Sequence, residues 1–226
     1  MFKRIDYLFK LCVFDLDGTL MDSLEDLANS VNYSLKQNGF PEHDLNKYKY
    51  FVGNGIKMLL HRALGKYDTP EAFFKVADIF YPYYDEHYAD KTRPYEGIKE
   101  LTEKLKSQGL MLAVLSNKAD EFAKGIIDEF FAANSFSVVL GTTAEFKPKP
   151  DPSSLLHIMK TLSVSPQETL YVGDSNIDIF TAHNAGVKAV GAEWGFRGRS
   201  ELIEAGADFL AEKPVDILKV IGQEGL

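Results

Sequence analysis

Two aspartates stand next to each other at the end of an apolar run near the start of the chain. Asp15 and Asp17 follow the segment Leu11-Cys-Val-Phe14, which predicts a buried strand. Residues two positions apart on an extended segment project to the same side, so the two carboxylates are expected to lie close together. Two such carboxylates repel each other unless a cation intervenes, and Mg²⁺ prefers oxygen ligands. The pair therefore predicts a metal site, with Gly18 permitting a sharp turn directly after it.

A third carboxylate follows a later apolar run. Asp174 comes shortly after Thr169-Leu-Tyr-Val172 and directly before a predicted helix, on which Asp178 lies one turn further along the same face. A helix cap would explain Asp174 alone. Beside Asp15 and Asp17, that explanation is much less favoured, and Asp174 becomes a candidate metal ligand with Asp178 as its support.

Groups suited to binding an anion follow two other predicted strands. Ser116 and Asn117 stand between an apolar run and a predicted helix, where a hydroxyl and free backbone N–H groups are available to a phosphate. A lysine before a proline adds a full positive charge, and the sequence offers two such residues, Lys147 and Lys149. Together these groups predict a phosphate cradle beside a metal.

The elements that position these residues alternate between strands and helices. The predicted strands cover residues 11–14, 110–115, 138–140, 169–172 and 187–190, and helical patterns separate the later ones. This alternation predicts an α/β fold with a doubly wound parallel sheet, a Rossmann-like core. Ligands bind at the carboxyl ends of the strands in such sheets, which is where all the polar groups above would meet.

A stretch of helical pattern separates the first strand from the rest. Ser23-Leu-Glu-Asp26 resembles a capping box in acidic form, Asn38-Gly39 ends the first helix, and Thr69-Pro70 begins a later one. We interpret the apolar and aromatic stripe on that later helix as a packing face: Phe73, Phe74, Val76, Ala77, Phe80 and Tyr84. The segment predicts a small helical cap domain, residues 22–92, inserted into a catalytic core of residues 1–21 and 93–226.

Composition limits the partners and the compartment. The chain has 226 residues, 45% of them hydrophobic, and 25 basic against 33 acidic residues give a net charge of −8. Without a basic stripe we expect no nucleic acid partner, and without an apolar run of ~20 residues we expect no membrane span. Met1-Phe-Lys-Arg-Ile-Asp6 has no signal-peptide pattern, and the single cysteine, Cys12, cannot form an internal disulfide. A cytoplasmic location is therefore expected, for a monomer or a homodimer.

These residues resemble the signatures of the haloacid dehalogenase superfamily, in its phosphatase branch. Phe14-Asp-Leu-Asp-Gly-Thr-Leu20 is similar to the first signature at every position, Ser116 to the second, and Gly173-Asp-Ser-x-x-Asp178 to the fourth. The third is a lysine that precedes the fourth-signature aspartate by one helix, a loop and a strand. Lys149 meets that spacing and Lys147 does not, so the resemblance favours Lys149.

The resemblance implies a mechanism for the aspartates. Asp15 would attack phosphorus and become phosphorylated, while Asp17 would protonate the leaving group and later activate water. Mg²⁺ would be held by the Asp15 carboxylate, the Asp17 backbone carbonyl and Asp174, with Asp178 in support. The serine of the second signature and the lysine of the third would stabilise the phosphoryl oxygens, and the cap would close over the substrate.

Two shorter stretches resemble phosphoglycolate phosphatases within that branch, namely Phe51-Val-Gly-Asn-Gly55 and Trp194-Gly-Phe-Arg197. They imply a small phosphorylated metabolite with a second anionic group, 2-phosphoglycolate first of all. Asn54 lies between the paired glycines, and Lys57 or Arg62 could pair with the carboxylate, although both could equally be solvated on a cap helix.

Other reactions use similar residues. A phosphosugar mutase or a sugar-phosphate phosphatase of the same fold would use the same two aspartates. A phosphorylation switch would have no use for a cap or for Asp17, and a dehalogenase would need neither Asp17 nor a metal. We therefore expect a hydrolase that releases phosphate from a small metabolite, with the mutase or sugar-phosphate phosphatase as the alternative.

Overall fold

Residues 9–223 are described by the computed structural model, so the prediction made on Met1–Asp6 lies outside the described part. The strands are β1 (Leu11–Phe14), β2 (Met21–Asp22), β3 (Arg93–Pro94), β4 (Met111–Ala119), β5 (Val138–Thr142), β6 (Thr169–Gly173), β7 (Lys188–Ala192) and β8 (Phe209–Ala211). The helices are α1 (Leu24–Gln37), α2 (Leu45–Phe51), α3 (Gly55–Leu64), α4 (Pro70–His87), α5 (Ile98–Ser107), α6 (Asp120–Phe130), α7 (Ser153–Leu162), α8 (Asn176–Asn184), α9 (Arg199–Glu204) and α10 (Ile217–Gln223).

The main sheet has six strands in the order β5-β4-β1-β6-β7-β8, and every neighbouring pair is parallel. The chain builds outward from β1 through β4 to β5, then crosses to β6 on the other side of β1. This reversal makes the carboxyl end of β1 a topological switch point, where open α/β sheets form a ligand-binding crevice. The predicted doubly wound parallel sheet is confirmed.

Strand β1 shows why both faces of the sheet are buried. Its side chains alternate, so Leu11 and Val13 pack with α7 and α8 on one face, while Cys12 and Phe14 pack with α5, α6 and α10 on the other. All four residues are fully buried. A continuous apolar run is what a strand covered on both faces requires.

The structure extends some predicted elements and adds others. Strand β4 continues to Ala119, so Ser116 and Asn117 lie within it and α6 begins only at Asp120. The short pair β2–β3 and the elements β8, α9 and α10 carried too few residues for a periodic pattern to predict them. Within residues 9–223, every helix is too short or too polar to cross a bilayer.

Helices α1 to α4 lie between β2 and β3 in the chain and share one apolar cluster. Val31 from α1, Leu60 from α3 and Phe80 from α4 are fully buried in it, and Phe122 of α6 joins it from the sheet side. The predicted packing face of α4 holds for most of its residues, but Phe74 is 64% exposed and lies outside it.

A short antiparallel pair closes the base of this helical segment. Met21 pairs with Pro94 and Asp22 with Arg93, where the chain leaves the sheet and returns to it. Buried Asp26 reinforces the closure, because its carboxylate accepts hydrogen bonds from the Lys91 N–H at 2.9 Å and from the Thr92 N–H and hydroxyl at 2.8 Å.

The predicted capping box at the start of α1 is therefore wrong. Ser23 makes no side-chain capping bond and instead donates its hydroxyl to Asp17, while Asp26 serves the returning chain. Tertiary partners offer both side chains better-placed groups than the helix end does. The predicted cap of α4 is confirmed, since Thr69 accepts from the Ala72 N–H at 3.1 Å and Pro70 follows it.

Asp26→Ala should lower the free energy of unfolding by about 3 kcal/mol, because it leaves buried N–H donors without their charged acceptor. Urea unfolding followed by circular dichroism measures the change. Exposed Glu25→Ala, one residue earlier on the same helix, is the matched control and should change stability little. Equal effects of the two substitutions would contradict the role given to Asp26.

Candidate active site

Asp15 stands at the switch point, directly after β1. Its N–H donates to the Val172 carbonyl at 2.9 Å, which continues the β1–β6 pairing, and its Oδ1 accepts from the Leu16 N–H at 2.6 Å. The residue is only 8% exposed. The backbone of β1 thus fixes the direction of a carboxylate that opens into the crevice.

Lys149 is the cation at this carboxylate. Its Nζ lies 2.9 Å from Asp15 Oδ1, 2.7 Å from Asp178 Oδ1 and 3.2 Å from the Tyr171 hydroxyl. Burial alone would lower the pKa of Lys149, but the carboxylates of Asp15 and Asp178 raise it well above its ordinary value. Lys147 is exposed, so the geometry, like the spacing, places Lys149 at the site.

Three buried carboxylates converge beside this lysine. Asp15, Asp174 and Asp178 each place one oxygen within 4.8 Å of the others. Asp178 has both oxygens engaged, Oδ1 with Lys149 and Oδ2 with the N–H and hydroxyl of Ser175, in a capping box that starts α8. Asp178 is therefore held by protein groups, whereas Asp15 and Asp174 face each other with less neutralisation.

The electrostatics of the cluster favour a bound cation. Burial, followed by the charge of Asp178, raises the pKa of Asp15 to about 7. Burial, followed by the charges of Asp178 and Asp15, raises the pKa of Asp174 well above its ordinary range. One ammonium cannot balance three buried carboxylates, and an all-oxygen donor set suits a hard divalent ion such as Mg²⁺. The residues present therefore fit the metal that the sequence predicts.

Two glycines let neighbouring loops reach Asp174. A Cβ added at Gly18, where φ is +86°, would lie 2.4 Å from Asp174 Oδ2, and one added at Gly195 would lie 2.2 Å from Asp174 Cβ. The Phe196 N–H donates to Asp174 Oδ2 at 2.7 Å. Glycine is required at both positions because any side chain would displace the carboxylate.

The Asp17 carboxylate does not join this cluster. It accepts hydrogen bonds from the Ser23 hydroxyl and from the Lys118 ammonium, which lies 3.0 Å from Oδ1 and 3.1 Å from Oδ2. The Lys118 side chain is only 2% exposed and its ammonium lies over the Tyr84 ring, 5.1 Å from the centroid. Burial alone would lower the pKa of Lys118, but Asp17 and Tyr84 raise it above its ordinary value.

Sequence reasoning missed Lys118 as a site residue. The available signal was its position directly after Ser116 and Asn117 at the same strand end. Its partner Asp17 lies 101 positions away in the chain, so no local pattern reveals the pair.

A cavity of about 30 Å³ lies between the strand ends and the helical segment. The sheet side contributes Asp15, Asp17, Ser116, Asn117 and Lys118, and the helical side contributes Leu27, Val52, Gly53, Gly55, Ile56 and Leu59. The cavity is thus charged on one side and apolar on the other. The cationic side chain on the charged side suits an anionic reacting group.

Asn117 lies at the cavity but uses its side-chain amide to join loops. Nδ2 donates to the Gly53 carbonyl at 3.0 Å and to the Lys149 carbonyl at 3.2 Å, and Oδ1 accepts from the Lys149 N–H at 2.8 Å. The amide therefore positions the lysine and contacts the helical segment. Ser116, also predicted to bind phosphate, lines the cavity.

The three residues predicted to set specificity are placed differently from one another. Arg62 donates to the Phe51 carbonyl at 2.8 Å and to Asn54 Oδ1 at 2.6 Å, so these two predicted residues support the loop beside the cavity. Lys57 is exposed and borders a separate surface cavity with His61. Because Ile56 faces the active-site cavity, the helical turn carries Lys57 to another side of α3.

Comparisons with known proteins show similarity over most of the chain. The family model described as haloacid dehalogenase-like hydrolase matches residues 12–192. The phosphoglycolate phosphatase of Mannheimia succiniciproducens is 36% identical over 94% of this chain and 98% of its own length, and that of Aquifex aeolicus is 32% identical over 94% and 96%.

Solved structures show the same similarity. The crystal structure of a predicted phosphoglycolate phosphatase from Haemophilus somnus superposes with a TM-score of 0.89 at 34% identity, covering 95% of this chain and 99% of that one. A predicted phosphatase from Clostridium acetobutylicum gives a TM-score of 0.83 at 28% identity, covering 96% and 99%.

Lys149→Ala should lower kcat/KM for a phosphomonoester by about 10²–10³-fold, because it removes the buried charge nearest Asp15. Steady-state phosphate release measures the loss, and circular dichroism confirms that the variant is folded. Lys147→Ala, two residues away and exposed, is the matched control and should stay within about twofold of the wild type. A larger loss at Lys147 would contradict this placement.

Proposed function

The chain belongs to the haloacid dehalogenase-like hydrolase family and is a phosphatase, and from this we propose that it hydrolyses small phosphomonoesters through a phosphoaspartate on Asp15. One observation carries the proposal: a buried carboxylate at the switch point lies 2.9 Å from the buried ammonium of Lys149 and beside Asp174. A nucleophile, a phosphate-binding cation and a metal-binding carboxylate thus meet at one strand edge.

In the first step, an oxygen of Asp15 forms a bond to phosphorus while the ester P–O bond breaks. Asp17, which lines the same cavity, enters this step as the protonated acid and gives its proton to the departing alkoxide, and the second step returns that proton. The products of this step are the free alcohol and the phosphorylated Asp15.

In the second step, Asp17 takes a proton from a water molecule, and the water oxygen attacks phosphorus. The bond between phosphorus and Asp15 breaks, which releases inorganic phosphate and restores the carboxylate. Ser23 and Lys118 hold the Asp17 carboxylate between the two steps.

Charge on the phosphoryl group is met by fixed groups. Lys149 and the Ser116 hydroxyl would donate hydrogen bonds to the phosphoryl oxygens, and Asp178 holds the lysine in position. Mg²⁺ would be held by the Asp15 carboxylate, the Asp17 backbone carbonyl and Asp174, and would supply positive charge that offsets the negative charge of the phosphoryl group and the carboxylates.

Residues 22–92 act as a cap in this proposal, with residues 1–21 and 93–226 as the catalytic core. The β2–β3 pair marks the two crossings between them. The apolar wall of Leu27, Ile56 and Leu59 limits the amount of water around the phosphoaspartate.

The substrate we propose is 2-phosphoglycolate. Relatives such as that of Mannheimia succiniciproducens carry the name phosphoglycolate phosphatase, and the small cavity beside Asp15 favours a compact ester. Gly53 and Gly55 line it with φ values of +115° and +79°, so the backbone itself approaches the ligand.

Asp15→Asn should lower kcat by more than about 10⁴-fold, because the nucleophile is gone. The same substitution should abolish the ³²P-labelled phosphoenzyme that is trapped by acid quenching. Asp17→Asn should lose roughly 10²–10⁴-fold in turnover while still forming some phosphoenzyme from an aryl phosphate with a good leaving group. Rapid-quench labelling with ³²P-substrate measures both. Substantial turnover by Asp15→Asn would exclude the phosphoaspartate route.

Phosphate release from a panel of metabolites tests the substrate and the metal together. We expect kcat/KM for 2-phosphoglycolate to exceed that for hexose phosphates by about tenfold or more, the value of one charged hydrogen bond. Better hydrolysis of hexose phosphates would reject 2-phosphoglycolate as the substrate while the phosphatase activity stands. A mutase would instead convert a sugar phosphate into its isomer.

Removal of divalent ions with EDTA should lower kcat/KM by at least about 100-fold, and added Mg²⁺ should restore it.

A further inference from the structure

Within residues 9–223, Lys118 is the cationic side chain that lines the active-site cavity, and its partner is the proposed acid–base residue. Lys118 lines the cavity and pairs with the Asp17 carboxylate through both oxygens. We propose that Lys118 recognises a carboxylate on the substrate and that this contact releases Asp17 for proton transfer. The inference rests on the proposed phosphatase function and names the substrate class of the same site.

The other cations near the cavity are already engaged. Lys149 contacts Asp15 and Asp178, and Arg62 contacts the Phe51 carbonyl and Asn54. Arg197 donates to the Val52 carbonyl at 2.9 Å. Among residues 9–223, Lys118 is the positively charged side chain that lines the cavity without supporting the phosphate site or a neighbouring loop.

The position of Lys118 favours an anionic partner. Its side chain is 2% exposed, so little solvent is available to replace a lost counter-ion, and the Tyr84 ring supplies only a weak attraction. A buried ammonium without a partner is strongly unfavourable. Lys118 therefore holds Asp17 until another anion occupies its ammonium.

Asp17 must give up part of this contact in order to act. Oδ1 accepts from Ser23 and Lys118, and Oδ2 accepts from Lys118 as well, so both oxygens are engaged. An Asp17 oxygen that turns to the ester oxygen of the substrate leaves the ammonium. An anionic group of the substrate that binds the ammonium at the same moment compensates for the loss.

The distance from the Lys118 ammonium to the ester oxygen, by way of Asp17, limits where the anionic group of the substrate can lie. Lys118 Nζ is 3.0 Å from Asp17, and a hydrogen bond of about 3 Å connects Asp17 to the ester oxygen during proton transfer. A carboxylate attached to the carbon next to the ester oxygen falls within this span. Phosphate esters of 2-hydroxy acids have that arrangement, whereas the hydroxyl groups of a sugar carry no charge for Lys118.

Two substrates that differ at this group test the inference. 2-Phosphoglycolate and 2-hydroxyethyl phosphate have similar leaving groups, but only the first has the carboxylate. We expect the wild type to prefer 2-phosphoglycolate in kcat/KM by about 10- to 100-fold, and Lys118→Met to lose most of that preference, chiefly through KM. Lys118→Arg, which retains the charge, should keep a measurable part of it.

A control variant separates the contact from a general loss of charge. Exposed Lys147→Met removes the same charge from the chain and should keep the wild-type preference. Equal losses of Lys118→Met on both substrates would overturn the inference, because Lys118 would then act only on Asp17. If the wild type hydrolysed none of the three compounds, the two esters and p-nitrophenyl phosphate, the proposed function itself would be rejected.

One readout needs no variant, which keeps the test decisive if Lys118→Met does not fold. Glycolate should inhibit p-nitrophenyl phosphate hydrolysis by the wild type competitively, with an inhibition constant about 10- to 100-fold below that of ethylene glycol. Similar inhibition by the two alcohols would overturn the inference even with the phosphatase activity intact.

Discussion

The ion pair between Lys149 and the Asp15–Asp178 carboxylates is the interaction on which the site depends. One ammonium with a 2%-exposed side chain lies 2.9 Å and 2.7 Å from two buried carboxylates, and a third carboxylate, Asp174, stands beside them. The lysine lowers the repulsion enough for the cluster to fold but leaves an excess of negative charge. That excess suits a hard divalent cation, and in the proposed mechanism this cation and Lys149 would together draw the phosphate to Asp15.

The doubly wound sheet makes such a concentration of charge possible. Chain segments far apart in sequence end their strands at one edge, so the cost of bringing carboxylates together is met by packing energy elsewhere in the fold. The local devices are small: Ser175 engages one oxygen of Asp178, and Gly18 and Gly195 leave room for Asp174. Each of these residues helps to keep a carboxylate in a fixed orientation close to other carboxylates.

Contacts between the sheet and the helical segment connect this charged centre to its surroundings. Asn117 contacts Gly53, Arg197 contacts Val52, and Ser23 at the base of the segment contacts Asp17. Asp17 thus has a partner from the helical segment, Ser23, and one from the sheet, Lys118. In the proposed mechanism, a ligand that changes either contact would change the position of Asp17 and so link substrate recognition to proton transfer.

The sequence by itself determined the sheet and the aspartates at its edge, because apolar runs and strand ends are local patterns. The resemblance to family signatures, through their spacing, favoured Lys149 over Lys147. Only the tertiary structure decided which side chains meet across long separations. It paired Lys118 with Asp17 and Asp26 with Thr92, separated by 101 and 66 positions, and it turned Lys57 away from the cavity. Such contacts depend on how the helices pack against the strand ends, and a polar residue's type does not reveal which buried partner it will find.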